Sequence, residues 1–136
     1  YNFSDKCYGF GEYHFNSIGS GDAEEYLIKT QTLEFGQGSI YLAGKHYLNL
    51  GTTYTPTPLA PVTAMLIYNL TDHSFVLAPS VEYNIAENVY LTVGGYLAFG
   101  KRAKILPTLV FPAGIVPRSE FGYSPSIIYS SFRYYF

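Results

Sequence analysis

Apolar side chains alternate with polar or small ones for eleven residues, from Phe75 to Ile85, and no other feature of the chain constrains its fold as much. Phe75, Leu77, Pro79, Val81, Tyr83 and Ile85 fall on one side of an extended backbone. Val76, Ala78, Ser80, Glu82 and Asn84 fall on the other. A period of two is the signature of a strand with unlike faces. After the short turn Ala86-Glu87-Asn88 the pattern resumes, with Val89, Leu91, Val93, Gly95, Leu97 and Phe99 opposing Tyr90, Thr92, Gly94, Tyr96 and Ala98. Two such runs joined by a tight connection predict a β-hairpin.

The pattern extends upstream. Val62, Ala64, Leu66, Tyr68 and Leu70 alternate with Thr63, Met65, Ile67 and Asn69, and the turn Thr71-Asp72-His73-Ser74 leads into the Phe75 strand. Residues 39–54 alternate as well, placing Tyr41, Lys45 and Tyr47 opposite Ile40, His46 and Leu48, until Thr55-Pro56-Thr57-Pro58 ends the ladder. Glu25 to Phe35 is expected to add a strand whose faces are unresolved. Cys7 to Asn16 adds another, with Tyr13 and Phe15 opposite Tyr8, Phe10, Glu12 and His14. A last strand is expected from about Phe121 to Phe136. Strands of about ten to fifteen residues exceed the ~5–6 usual in soluble sheets and suit a tilted bilayer crossing of ~9–11. The long connection Lys101 to Glu120 carries the one basic cluster, Lys101-Arg102-Lys104, and three prolines.

Composition narrows the class. Charged residues make up only 13% of the chain, while 48% is hydrophobic and 18% aromatic. Disorder requires the opposite balance, and a helical bundle requires a different one. A formal charge of −2 with no long basic stripe excludes a nucleic-acid binder. The lone Cys7 allows no internal disulfide and carries no zinc spacing. No apolar run is long enough for a transmembrane helix, which leaves membrane-crossing strands open.

The carboxyl end reads Ile128-Tyr129-Ser130-Ser131-Phe132-Arg133-Tyr134-Tyr135-Phe136. Here the sequence resembles bacterial outer-membrane β-barrel proteins of the porin-like kind, which end in a strand with a terminal Phe and aromatic or apolar residues at alternating positions before it. The resemblance implies that Phe132, Tyr134 and Phe136 form a signal read by the barrel-assembly machinery of a Gram-negative cell. Ser130 departs from the usual apolar position and Ser131 from a frequent glycine, so a β-bulge near Ser130 is an option. A second similarity, to the ends of larger porin-like proteins, rests on Asn69-Leu70-Thr71-Asp72, Gly95-Tyr96-Leu97 and Ser119-Glu120-Phe121-Gly122-Tyr123.

These readings predict an all-β fold, an antiparallel up-and-down transmembrane β-barrel, with about seven strands in a single domain over residues 1–136. Single-chain bacterial barrels have an even strand number with both ends periplasmic. Counting back from Phe136, the loop 101–120 is extracellular, the Phe35–Ser39 turn is extracellular, Ser17–Asp22 is periplasmic, and Cys7–Asn16 descends. Seven strands do not close by that rule, so either Tyr1–Lys6 belongs to an extra piece or, the preferred expectation, the chain is the C-terminal part of a larger barrel.

Enzymatic chemistry finds no foothold. His14, His46 and His73 are not at ligand spacing, and no nucleophile elbow, phosphate loop or His-Glu-x-x-His element occurs. No cofactor or metal is expected. The face opposite the apolar one is expected to line a lumen, with Glu12, His14, Lys45, Tyr47, Glu82, Tyr90, Tyr96 and Arg133 projecting inward beside Tyr8 and Tyr41. Tyr13, Phe15, Tyr54, Tyr68, Tyr83, Phe99, Phe132, Tyr134 and Phe136 are candidates for aromatic girdles. The first functional expectation is a passive channel in the outer membrane for small polar solutes. Alternatives are a non-transporting scaffold or sheath of a secretion or electron-transfer complex, and a soluble ligand-binding barrel. The partners implied are the lipid bilayer, the assembly machinery, and a homo-oligomer or larger complex.

Overall fold

The alternating segments are the ones that pair. In a computed structural model that describes residues 1–38, 41–105 and 114–136, seven strands form one antiparallel sheet in the order β1-β2-β3-β4-β5-β6-β9. These are β1 (Asn2–Ser4), β2 (Cys7–Phe15), β3 (His46–Tyr54), β4 (Val62–Asn69), β5 (Phe75–Ala86), β6 (Val89–Phe99) and β9 (Ile127–Tyr134). A small separate ribbon pairs β7 (Lys104–Ile105) with β8 (Ile115–Val116). Sheet order follows chain order with β7 and β8 set aside, and tight turns join β4 to β5 and β5 to β6. Asn88 and His73 hold the two tight turns with φ of 62° each, a left-handed conformation that Asn and His tolerate better than most residues.

Residues directly opposite in an antiparallel pair share a face. The register therefore sorts the sheet into two sides. Face A carries Phe15, Tyr13, His46, Leu48, Leu50, Tyr54, Val62, Leu66, Tyr68, Phe75, Leu77, Val81, Tyr83, Leu97, Phe99, Ile128, Phe132 and Tyr134. Face B carries Tyr8, Glu12, His14, Tyr47, Asn49, Met65, Asn69, Ser80, Glu82, Tyr90, Thr92, Tyr96, Tyr129, Ser131 and Arg133. On face B, rings lie over glycines of the next strand: a Cβ on Gly51 would run into Phe10, and one on Gly94 into Tyr129.

Among the described residues most of the sheet is left uncovered on both faces. All of β9 is exposed, and Val81, Tyr83 and Val93 on face A are as bare as Met65 and Tyr96 on face B. The protein exposes 9281 Å², whereas a compact protein of this mass exposes about 7,100 Å². Among the described residues β1 and β9 do not pair with each other, and the sheet stays open.

Four expectations need correction. The strand foreseen over Glu25–Phe35 is helical: a 3-10 turn (Ala23–Glu25), α1 (Tyr26–Thr30) and α2 (Leu33–Gly36). Asp22 caps that start by accepting from the Glu24 N–H at 3.0 Å, with Glu24 and Glu25 in the favourable first turn. With that strand gone, β2 pairs directly with β3. Cys7–Phe15 therefore runs toward the end that carries the long connections, and Ser17–Asp22 lies at that end, the reverse of the parity expectation. The strand foreseen over 39–54 begins only at His46, because Gly44 makes a parallel bridge to Ser20 and draws the chain off the sheet. The final strand begins at Ile127, six residues late, and its register with β6 is unbroken from Ile127 to Tyr134, so Ser130 marks no bulge. Ser39 and Ile40, and Pro107 and Pro112 of the long connection, lie outside the described residues.

The two ends of the sheet differ. Residues 5–6, 55–61 and 87–88 make short connections at one end. Residues 16–45 and 100–126 make long ones at the other, beside the turn 70–74.

Candidate functional site

Tyr47 and Asn69 stand opposite each other at the long-loop end of face B, and both are fully buried. What buries them is polar. The Glu120 carboxylate reaches in from the β6–β9 connection. It accepts from the Ala43 N–H at 2.7 Å on one oxygen, and from the Tyr47 hydroxyl at 2.5 Å and the Asn69 amide at 2.7 Å on the other. Asp72, in the β4–β5 turn, accepts from the Glu120 N–H at 2.6 Å and from the Ser74 N–H at 2.8 Å. Asn69 donates also to Asp72 at 3.3 Å and to the Tyr26 hydroxyl at 3.2 Å. The Gly44 N–H donates to the Tyr47 hydroxyl, the Phe121 N–H to Ser74 Oγ, and the Ser119 hydroxyl to the Lys101 carbonyl.

This knot fastens α1, the 41–44 segment and the 119–123 segment onto one end of face B as a cap. Among the described residues it encloses the buried Tyr26, Ala43 and Tyr47 together with the buried polar Ser20, Asn69, Asp72, Ser74, Ser119 and Glu120. Removing one partner from such a network leaves the others unsatisfied, at roughly 1–3 kcal/mol per buried group. Burial pushes the Glu120 carboxyl above the usual range, against the lowering pull of its three donors, and the Asp72 charge adds to the rise. Burial likewise holds the Tyr26 phenol well above its ordinary value.

The residues foreseen as lumen-lining are distributed as follows. Glu12, His14, Tyr47, Glu82, Tyr90, Tyr96 and Arg133 share face B. Glu82 and Arg133 form an ion pair across β5 and β9 at the short-turn end. Thr92, between them on β6, donates to Glu82 at 3.3 Å, and the Arg133 guanidinium lies 5.9 Å from the Tyr90 ring centre. Tyr96 and Tyr129 lie with ring centres 5.8 Å apart. Glu12 and His14 are exposed on β2 and meet neither charged member of that pair. Three placements differ from expectation. Tyr47 is not free to face a lumen, being locked in the knot. Lys45 sits in a bend before β3, and Tyr41 lies outside any strand, 79% exposed. The residues of the end motif divide likewise: Phe132 and Tyr134 lie on face A of the free edge strand, and Phe136 follows it, fully exposed.

Sequence reasoning singled out the strings around Asn69–Asp72 and Ser119–Tyr123 without giving them a role. The structure joins them. Among the described residues no group of three His, Cys, Asp or Glu is placed to hold a metal ion, and no helix is long and apolar enough to cross a membrane. No family model, curated protein or solved structure matches the chain.

Proposed function

We propose that the chain supplies strands of a β-barrel in the bacterial outer membrane, with face A toward lipid and face B toward a polar interior, acting as a porin-like passive channel for small polar solutes. The pattern of face A carries the reading. An aliphatic belt of Leu48, Leu50, Val62, Leu66, Leu77, Val81, Val93 and Leu97 lies between two aromatic bands. The upper holds Tyr13, Phe15, His46, Tyr68, Phe75 and Phe99, and the lower Tyr54, Tyr83, Phe132 and Tyr134. Eight residues separate His46 from Tyr54 and Phe75 from Tyr83. At ~3.3 Å per residue and a tilt near 40°, the bands stand about 20 Å apart, close to the ~25 Å apolar band of outer-membrane barrels. Short turns at one end and long loops at the other also suit such a barrel. A soluble sheet would leave this contiguous apolar belt in water, which monomeric soluble proteins rarely do.

β1 and β9 run in the same direction, so an up-and-down sheet closes only with an odd number of further strands between them. The reading includes such strands, and it has the assembly machinery engage β9 at its unpaired edge. Protein extracted from membranes and added to planar bilayers is expected to give discrete conductance steps; a sealed bilayer at high protein load contradicts the channel. The cap seated on face B favours one second reading, a non-transporting scaffold. A stoichiometric partner on purification, with no conductance, would select it.

A further inference from the structure

Asp72 and Glu120 are both less than a tenth exposed and both accept from the same Asn69 nitrogen. The groups facing Glu120 are Tyr47 from β3, Asn69 and Asp72 from the β4–β5 corner, Tyr26 from α1, the Ala43 amide, and Tyr123 from its own segment. None is a cation. Glu25, beside Tyr26, is taken up by the Ser20 hydroxyl at 2.6 Å. Among the described residues the one ion pair, Glu82–Arg133, lies at the other end of the sheet. Burial beside a second carboxyl, with no counter-charge at hand, disfavours ionisation of Glu120.

We propose that Glu120 is a proton-operated latch, which keeps the cap closed over the end of face B while it is protonated and loosens it when it ionises beside Asp72. The device spans both long connections, because Glu120 grips Ala43 of one while belonging to the other. Opening therefore frees α1, 41–44 and 119–123 together as one local unit. In the opened cap Glu120 meets water and titrates in the ordinary carboxyl range; in the closed cap burial raises it. Closure is thus strongest below the ordinary value, weakens as pH rises through the raised value, and levels off above it. One proton sets the steepest slope at about tenfold per pH unit. Tyr26 and Tyr123, both raised by burial, stay protonated through this range.

Hydrogen exchange on the whole protein in detergent micelles, from pH 5 to 9, tests this, with rates expressed as protection factors to remove the intrinsic pH effect. Protection of the Ala43 and Glu120 amides, which donate into the knot, is expected to fall over part of that range by up to about tenfold per unit. Amides in the β5–β6 ladder should hold level. Glu120→Gln should abolish the fall. Should that variant leave the cap open at every pH, Asp72→Asn decides: it removes the neighbouring charge and should shrink the fall. Protection that is flat or rises with pH in the natural protein, or an unchanged fall in Asp72→Asn, overturns the latch. The readout needs no conductance, so the latch and the channel fail independently.

Discussion

Leu66 and Met65 are adjacent on β4 and point to opposite faces, which makes them a sharp pair for substitution. Leu66 sits on face A between Leu50 and Leu77, halfway along the aliphatic belt. Met65 sits on face B between Gly51 and Ala78, 47% exposed. If face A meets lipid, Lys at Leu66 places a charge near the bilayer midplane and costs about 2–4 kcal/mol. Lys at Tyr83, in the lower aromatic band, should cost only about 0–1 kcal/mol, because the charge reaches the headgroups. Lys at Met65 meets a wet interior and should stay within about 0.5 kcal/mol, as exposed substitutions usually do. Guanidinium unfolding in lipid vesicles measures all three, with the midpoint shift read at constant slope. A large loss at Leu66, a small one at Tyr83 and almost none at Met65 is the expected order. Equal losses at Leu66 and Met65, or no depth dependence between Leu66 and Tyr83, would refute the assignment of faces.

Other substitutions follow from the same geometry. The Glu82–Arg133 pair is partly exposed, 35% and 46%, so Arg133→Gln should cost no more than about 1 kcal/mol in chemical unfolding; in bilayers it should shift ion selectivity toward cations, and an unchanged reversal potential would count against an interior face B. Asn88→Gly should leave stability nearly unchanged, whereas Asn88→Val, forced into φ of 62°, should lose about 1–2 kcal/mol by the same unfolding assay. Deleting Phe136 should impair membrane assembly while synthesis continues, and normal heat-modifiable migration on gels would contradict the role given to the end strand.

The strands were legible because one backbone geometry imposes one period. From Val62 to Phe99 the foreseen hairpins are the observed ones, with a register shift between Asn84 and Ala86 beside the 87–88 turn. Where the period failed, so did the reading. Residues 25–35 lack alternation, and the usable signal was the cap: Asp22 followed by Glu24 and Glu25 starts a helix. Residues 41–45 alternate and still leave the sheet, since Gly44 finds its partner in Ser20, twenty-four residues away. The knot was the least visible part. Tyr26, Tyr47, Asn69, Asp72 and Glu120 come from four distant segments. No local rule brings such residues together; it takes the sheet to set their starting points and burial to make each need the others.

Spin labels placed one at a time along Val62–Asn69, on a Cys7→Ser background, read directly which face of the sheet meets lipid. With the protein in bilayers, oxygen accessibility is expected to be high at 62, 64, 66 and 68 and low at 63, 65 and 67, with a water-soluble relaxant showing the reverse. Equal accessibility of both faces to the aqueous relaxant would contradict a membrane-spanning sheet.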